Sequence, residues 1–290
     1  TPYHILNTNV QLVGSDDPRL SGRGGDNFIL SPLYCGACSL DYAKTESYVG
    51  GRMNLATALA ISGAAVDPNT SVTRSRPLSF IMTLLNIRLG YWIQNPAYSA
   101  RFFRVAGRSL WYMLRDLFGT GLNEQCRKVH LSDGGHFENL GLYELIRRRC
   151  RYIIVSDAGA DPDWNFGDLA RVTELVRADF GAEIDLDIRE FEHDAETGKS
   201  QKGFIFGTVE YDDGVTANLL YIKTALIDEK LPADILGYHR LNPKFPDEST
   251  ADQFFDERQF EAYRELGFIL GRKASAKVIE KGWSLWPLTE

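Results

Sequence analysis

The sequence has little of what marks several large protein classes. Its 290 residues contain four cysteines, too few for a disulfide scaffold, and charged residues make up an ordinary 24% of the chain. The longest uncharged apolar stretch, Pro77 to Ile87, is too short to span a bilayer. Neither an internal repeat nor a low-complexity linker is present. These absences exclude fibrous, disordered and disulfide-stapled classes, and they predict one globular domain over residues 1–290.

Positive charge is scarce except in one block. The net charge of −7 argues against a nucleic-acid partner. Residues 71–130 nevertheless carry +7, which leaves −14 on the remainder. The block is also rich in aromatic residues, a combination that an anionic lipid surface attracts. A core-packing helix with solvated arginines explains the composition equally well. In the first interpretation the leading membrane-facing candidates are Arg101, Arg104, Arg108 and Trp111.

Cysteine spacing argues against a metal or redox site. Cys35 and Cys38 form a Cys-Gly-Ala-Cys pair, but zinc needs a second close pair, which Cys126 and Cys150 do not supply. Residues 31–34 read as a loop rather than as the strand that precedes a thioredoxin-type site. We therefore expect ordinary reduced cysteines, as in an intracellular protein, with no metal and no cofactor.

Local patterns in the first half predict short strands followed by helices. Residues 1–50 read as extended pieces broken by Gly and Asp. Met53 to Ile61 is rich in Ala and Leu and ends in Ser-Gly, which predicts a helix. Residues 78–94 and 101–118 are predicted to be helical as well, the second from its apolar spacing.

The second half predicts a hairpin and a long helix. Asp212-Asp213-Gly214 separates two strand-like segments, 204–211 and 215–223, and is a strong hairpin signal. Thr250 to Gln253 reads as a capping box that opens an amphipathic helix through about Leu270.

A strand–helix–strand pattern covers residues 128–155. Lys128 to Ser132 and Tyr152 to Val155 read as strands, and Asn139 to Arg149 reads as the helix between them. The second strand is continuously apolar, as in a parallel strand covered on both faces. This order predicts a βαβ unit. We therefore expect an α/β fold with a mainly parallel or mixed central sheet between helices.

Asp133 is the strongest candidate for chemistry. It follows the first of these strands, at the edge where open α/β sheets place their sites. Gly134 and Gly135 allow a sharp turn and leave room for a close-approaching group. The next helix can direct its N-terminal amides at the same crevice. The alternative is an aspartate that only stabilises its turn, because Asp-Gly turns are common.

Two serines compete as nucleophiles. Ser62 lies in Ala-Ile-Ser-Gly-Ala, but it ends a helical stretch, whereas a nucleophile elbow needs a strand, a turn and a helix. A further alternative is a triad of His136 with Ser62 or Ser156 and with Asp133 or Asp157, although neither serine has an elbow's context. Ser156 and Asp157 end the second strand, and we expect them on the same sheet edge as Asp133, as a satisfied polar pair or in a supporting role.

Several segments together resemble one family. Residues 132–141, Ser-Asp-Gly-Gly-His-Phe-Glu-Asn-Leu-Gly, resemble the Asp-Gly-Gly block of patatin-like phospholipases, and most closely large bacterial members related to the cytosolic phospholipases. Residues 2–9, 55–65 and 249–256 are also similar to segments of those bacterial proteins. The ordered set spans nearly the whole chain and is more specific than an Asp-Gly-Gly alone.

The resemblance implies a patatin-like three-layer fold and a lipid acyl hydrolase of the phospholipase A or lysophospholipase type. Such enzymes use a Ser–Asp dyad without histidine, and Asp133 matches the aspartate that accepts the serine proton. A partly desolvated carboxylate is suited to that role. The implied partner is a phospholipid or another acyl-ester lipid at a membrane surface, with a cytoplasmic or peripheral membrane location. The residues expected to support the Asp133 loop are Gly134, Gly135, His136 and Asn139; His136 would contact backbone in the turn or line the crevice mouth, and Asn139 would hydrogen-bond the loop.

Two parts of the family pattern are missing. No Gly-x-Ser-x-Gly occurs in the 290 residues, and neither does the Gly-rich loop that holds the oxyanion. We therefore expect this chain to be the C-terminal half of a catalytic domain, which is inactive alone because the nucleophile lies upstream. Whether the upstream part also contains a membrane anchor is left open. The alternative is a non-catalytic lipid-binding or scaffold module of the same architecture.

Overall fold

A computed structural model describes residues 2–67, 82, 89–98, 112, 114–115, 118–191, 199–249 and 254–283. The chain divides into two compact units, Thr1–Asn139 and Leu140–Glu290. The expectation of a single domain stays a prediction. Most of the predicted helix over 101–118 lies outside the described residues, and so do all four membrane-facing candidates, Arg101, Arg104, Arg108 and Trp111.

The first unit is built on an antiparallel sheet. Its strand order is β4-β3-β2-β1-β6-β5, so that β1 pairs with both β2 and β6. Inward-facing residues such as Val10, Phe28 and Leu131 are fully buried, and Ala58 and Ile61 of α2 pack against them. The elements are β1 (Leu6–Gln11), α1 (Pro18–Arg23), β2 (Gly25–Leu30), β3 (Tyr34–Ala37), β4 (Asp41–Lys44), a 3-10 turn (Tyr48–Gly50), α2 (Leu55–Ser62), β5 (Tyr91–Gln94), β6 (Lys128–Asp133) and a 3-10 turn (Gly134–His136).

The second unit holds a mixed four-stranded sheet in the order β7-β10-β9-β8. The β7–β10 pair is parallel, and the β10–β9 and β9–β8 pairs are antiparallel. Leu266 and Leu270 of the long helix α6 are buried in this unit's core. The elements are α3 (Leu142–Arg147), β7 (Tyr152–Asp157), α4 (Gly167–Phe180), β8 (Glu183–Asp185), a 3-10 turn (Ile188–Phe191), β9 (Phe204–Glu210), β10 (Thr216–Lys223), α5 (Ala233–Leu241) and α6 (Glu257–Glu280).

The α/β class and several local elements are confirmed. The early strands, helix α2, the strands β6 and β7, and the β9–β10 hairpin all form where the sequence places them. Residues 91–94 are a strand rather than a helix end, and their Tyr-Trp-Ile-Gln sequence suits a strand. The predicted capping box, residues 250–253, lies outside the described residues. Helix α6 runs from Glu257 to Glu280, and Asp256 caps it by accepting the N–H of Gln259.

The predicted βαβ unit is wrong. β6 and β7 belong to different sheets, and β6 pairs antiparallel with β1 and β5. The partner of β7 is β10, with Tyr152 opposite Asn218 in the register. β7 is also not covered on both faces, because Ile154 is 44% exposed. Pairing partners are selected by long-range packing, which the order of neighbouring elements does not reveal.

The helices seen in the described ranges are all too short or too polar to cross a bilayer.

Candidate functional site

In the turn after β6, one carboxylate oxygen of Asp133 accepts a hydrogen bond and the other accepts none from the described residues. Asp133 is the last residue of β6 and lies opposite Thr8 of β1. Its Oδ1 accepts the N–H of Gly135 at 2.6 Å, and its own N–H donates to the carbonyl of Ala64 at 3.3 Å. The residue is half-buried, and among the described residues no group hydrogen-bonds to Oδ2. The carboxylate is thus oriented but retains an accepting oxygen.

Close contacts require both glycines of this turn. A Cβ at Gly134 would lie 2.5 Å from the backbone oxygen of Asn7. At Gly135 it would lie 2.1 Å from Oδ1 of Asn139 and 3.1 Å from Oδ1 of Asp133. Real Cβ atoms do not approach this closely, so glycine lets the turn lie against β1 and lets Asn139 stand beside the Asp133 loop. The roles predicted for these residues in catalysis stay predictions.

His136 ties the turn to the segment after α2. Its Nε2 lies 3.0 Å from the carbonyl oxygen of Ala65, and its Nδ1 lies 3.1 Å from Oγ of Ser132. A carbonyl only accepts, so we assign the ring proton to Nε2, and Nδ1 then accepts from the Ser132 hydroxyl. Asn9 donates to the same hydroxyl at 3.3 Å. The predicted backbone contact is therefore found, but with a residue 71 positions earlier rather than within the turn.

Burial lowers the pKa of His136, and the nearby Asp133 carboxylate and the bond to Ala65 oppose that shift only in part. A neutral imidazole agrees with the tautomer that its two hydrogen bonds require. His136 therefore fixes the geometry of this turn with both ring nitrogens in use.

Neither competing serine lies in a nucleophile's surroundings. Ser62 ends α2, and its hydroxyl donates to the backbone oxygen of Asn7 at 2.8 Å. Ser156 is exposed on β7. Within the described part of the chain, neither hydroxyl bonds a histidine or a carboxylate. The expectation that Ser156 and Asp157 share a sheet edge with Asp133 is wrong, because β7 belongs to the other sheet.

Asp157 is a satisfied buried ion, as one of the two expectations had it. Its Oδ1 accepts the N–H of Gly159 at 2.9 Å, and its Oδ2 accepts from the Tyr221 hydroxyl and, at 3.3 Å, from Nζ of Lys223. Lys223 lies opposite Asp157 in the parallel β7–β10 pair and is 2% exposed. Sequence reasoning missed this lysine; the signal was a charge that directly ends the apolar strand Asn-Leu-Leu-Tyr-Ile-Lys.

The four cysteines are free, and burial raises the pKa of the Cys35 and Cys150 thiols. Cys35 lies in β3 with its sulfur 3.1 Å from Oγ1 of Thr45, so the loop predicted before it is partly a strand. Among the residues that the structure describes, no three His, Cys, Asp or Glu side chains are grouped to hold a metal ion.

No protein-family model matches this chain, and no curated protein does. The resemblance to patatin-like phospholipases therefore stays a prediction from the motifs of the sequence.

Proposed function

We propose that this chain supplies the general base of a patatin-like lipid acyl hydrolase, and that the base is Asp133. One observation carries the proposal: Gly135 orients the carboxylate through Oδ1, while Oδ2 has no hydrogen-bond partner in the described ranges. A general base must be held in place and must still have a lone pair within reach of a proton. A half-buried aspartate in a glycine turn meets both needs.

In this proposal the serine comes from a Gly-x-Ser-x-Gly elbow outside residues 1–290. Oδ2 of Asp133 takes the hydroxyl proton as the serine oxygen attacks the acyl carbonyl. Amides of the Gly-rich loop stabilise the resulting oxyanion, whose charge develops only in the transition state. Collapse breaks the ester bond, and Asp133 returns the proton to the leaving alcohol. Water then attacks the acyl-serine with Asp133 again as base, which releases the fatty acid and restores the serine.

The hydrogen bonds of His136 favour a dyad over a triad. A triad histidine must accept the nucleophile's proton on one nitrogen and donate to a carboxylate from the other. The nitrogens of His136 instead contact Ser132 and the carbonyl of Ala65. Ser132 is fully buried in β6, so its hydroxyl is out of reach of a lipid ester.

The three-layer architecture, the phospholipid or lysophospholipid substrate and the peripheral membrane location belong to the same proposal. The α/β chain, in which α2 packs on the sheet that carries Asp133, supports the architecture. That sheet is antiparallel, which contradicts the mainly parallel or mixed central sheet predicted here, whereas the sheet of the second unit is mixed.

The decisive test uses a longer chain that includes the proposed elbow. Asp133→Asn should lower phospholipid and lysophospholipid hydrolysis by about 10²–10⁴-fold, the usual contribution of a general base. An amide oxygen can still accept the Gly135 N–H, so the turn should persist. Ser62→Ala is the control and should leave turnover unchanged. Full activity of the Asp133→Asn enzyme would overturn the proposal, and inactivity of the unsubstituted chain would favour the scaffold alternative.

A second measurement needs only residues 1–290. A fluorophosphonate probe should leave this chain unlabelled, because neither Ser62 nor Ser156 bonds a histidine or a carboxylate in the described ranges, and Ser132, which bonds His136, is fully buried. Peptide mass spectrometry would locate any adduct. Modification of Ser62 or Ser156 would show that the nucleophile lies in this chain. It would refute the proposal that the serine lies outside residues 1–290.

A further inference from the structure

The second unit contains a cleft of about 650 Å³ between the start of β9 and helix α6. This volume lies within the range of roughly 300–1,000 Å³ that small-molecule sites occupy. Every residue that lines it belongs to the second unit, so it does not include Asp133 or its turn. Its chemistry can therefore be considered independently of the acyl hydrolase proposal.

The floor of the cleft is apolar. Phe204 and Phe206 lie two residues apart on β9 and so share one face of the sheet, with their ring centroids 6.1 Å apart. Both rings are only partly buried and pack against the buried Leu220 and Val278, and the buried Leu270 of α6 also lines the cleft. Ala276, also on α6, is exposed, small and part of the lining, and Trp283 contacts one side of Phe206 with the ring centroids 5.4 Å apart. A hydrocarbon chain could cover these rings and gain from the burial.

The rim of the cleft is basic. Four of its residues are lysines and two are glutamates, on a chain whose net charge is −7. Each glutamate has a lysine partner, because Lys202 pairs with Glu190 and Lys273 pairs with Glu229. Of the other two lysines, Lys277 pairs with Glu280, which lies outside the lining, and Lys281 pairs with no carboxylate among the described residues.

Lys277 lies in the last turn of α6, and Lys281 lies one helical turn later, directly after the helix ends. Nζ of Lys281 lies 4.8 Å from the centre of the Phe206 ring, and among the described residues no carboxylate pairs with it. Lys277 contacts Glu280 at 2.6 Å, but both side chains are more than half exposed, and such pairs contribute little. The ammonium of Lys281 is thus held by an aromatic ring at the edge of the apolar floor.

We propose that this cleft binds a fatty-acid anion, with its tail on Phe204 and Phe206 and its carboxylate at Lys277 and Lys281. An apolar floor with a positive charge at one edge matches a ligand that has one hydrocarbon chain and one negative head. A carboxylate accepts hydrogen bonds from ammonium groups, and such charge-assisted bonds are the stronger kind. A zwitterionic or cationic amphiphile lacks that match.

Calorimetric titration of residues 1–290 with dodecanoate, below its micelle concentration, tests the proposal. One saturable site is expected, and affinity should rise by up to about fourfold for each methylene from octanoate to dodecanoate. Dodecyltrimethylammonium has the same tail and the opposite charge, so it should bind at least tenfold more weakly. Equal affinity for the two amphiphiles, or no saturable dodecanoate binding, would overturn the assignment.

Paired variants locate the site. Ala276→Trp should fill the cleft and abolish dodecanoate binding, whereas Ser275→Trp, exposed next to it and outside the cleft, should not. Lys277→Gln with Lys281→Gln should weaken binding about tenfold, and Lys244→Gln, an exposed lysine outside the lining, should leave it unchanged. Binding that survives Ala276→Trp would place the ligand elsewhere. None of these readouts depends on hydrolysis, so a failed acyl hydrolase proposal would leave them interpretable.

Discussion

Asp133 and Asp157 each end a β-strand, and each accepts at Oδ1 the backbone N–H two residues later, from Gly135 at 2.6 Å and from Gly159 at 2.9 Å. They differ at the second oxygen. Oδ2 of Asp157 is bound by Tyr221 and by Lys223 in a buried network. In the described ranges Oδ2 of Asp133 has no such partner, and the residue is half-exposed.

This difference shows that a local motif does not define a function. The strand end, the following turn and the N–H bond are shared, and they orient the carboxylate in both places. What makes one aspartate structural and the other a candidate base is the presence of a cation and a hydroxyl from β10 beside Asp157. A buried charge needs such partners, whereas a base needs an oxygen that has none.

The same substitution at the two aspartates should give the largest contrast. Asp157→Asn leaves Lys223 buried without its nearest counter-charge, so it should cost about 3–5 kcal/mol in the free energy of unfolding. Asp133→Asn keeps an oxygen that can accept the Gly135 N–H and buries no unpaired charge. It should therefore change the free energy of unfolding by no more than about 0.5 kcal/mol. Urea denaturation of the 290-residue chain measures both. Equal costs would mean that Asp133 is as structural as Asp157.

Adding a methyl group to each turn should give a smaller contrast. Gly134→Ala would place a Cβ 2.5 Å from the backbone oxygen of Asn7, which cannot move without shifting β1, so a loss of about 1–3 kcal/mol is expected. At Gly159 the nearest atom to a new Cβ is Oδ1 of Asp157 at 3.2 Å. Gly159→Ala should therefore cost less in the same denaturation assay. A larger loss of stability for Gly159→Ala than for Gly134→Ala would show that the turn after β6 can shift to accommodate a Cβ despite its close contacts.

The smallest expected effect is the pH dependence of stability that comes from Asp247, an acidic residue near Lys223. Asp247 accepts the N–H of Asp161 at 2.9 Å, and burial raises the pKa of the Asp247 carboxyl. The folded state therefore binds this proton more tightly than the unfolded state does. Between the ordinary pKa and the raised one, the free energy of unfolding should fall as pH rises, and at higher pH the full loss remains.

Asp247→Asn should remove this part of the pH dependence and stabilise the chain near neutral pH by less than about 1 kcal/mol, because the site is partly solvated. Asp213→Asn is a control of opposite sign: its hydrogen bond with Arg149 lowers the pKa of Asp213, so that stability is lost as pH falls. Thermal melts across pH 3–7 would compare the two. An unchanged profile for Asp247→Asn would show that its carboxyl is hydrated in the folded state.

Sequence patterns predicted local elements well and long-range partners poorly. The β9–β10 hairpin was identified because its turn residues lie beside both strands. The β7–β10 pair was missed because its two strands are separated by a helix, a short strand and most of the hairpin. The same limit applies to the sites: the Asp-Gly-Gly turn could be read directly, whereas Lys223 and Tyr221 come from more than sixty residues away.

The amino-acid sequence alone determined which residues form the turn at Asp133, the strands β6 and β7, and the resemblance that motivates an acyl hydrolase. It did so because propensity, turn chemistry and motif spacing are properties of neighbours along the chain. Only the tertiary structure decided that β6 and β7 enter different sheets and that His136 bonds the carbonyl of Ala65. It also decided that Asp157 is paired with Lys223, whereas Asp133 has no lysine or arginine partner in the described ranges. Those outcomes depend on which residues are buried and on which distant side chains come into contact. The free energies of burial and of these contacts are set by packing in three dimensions.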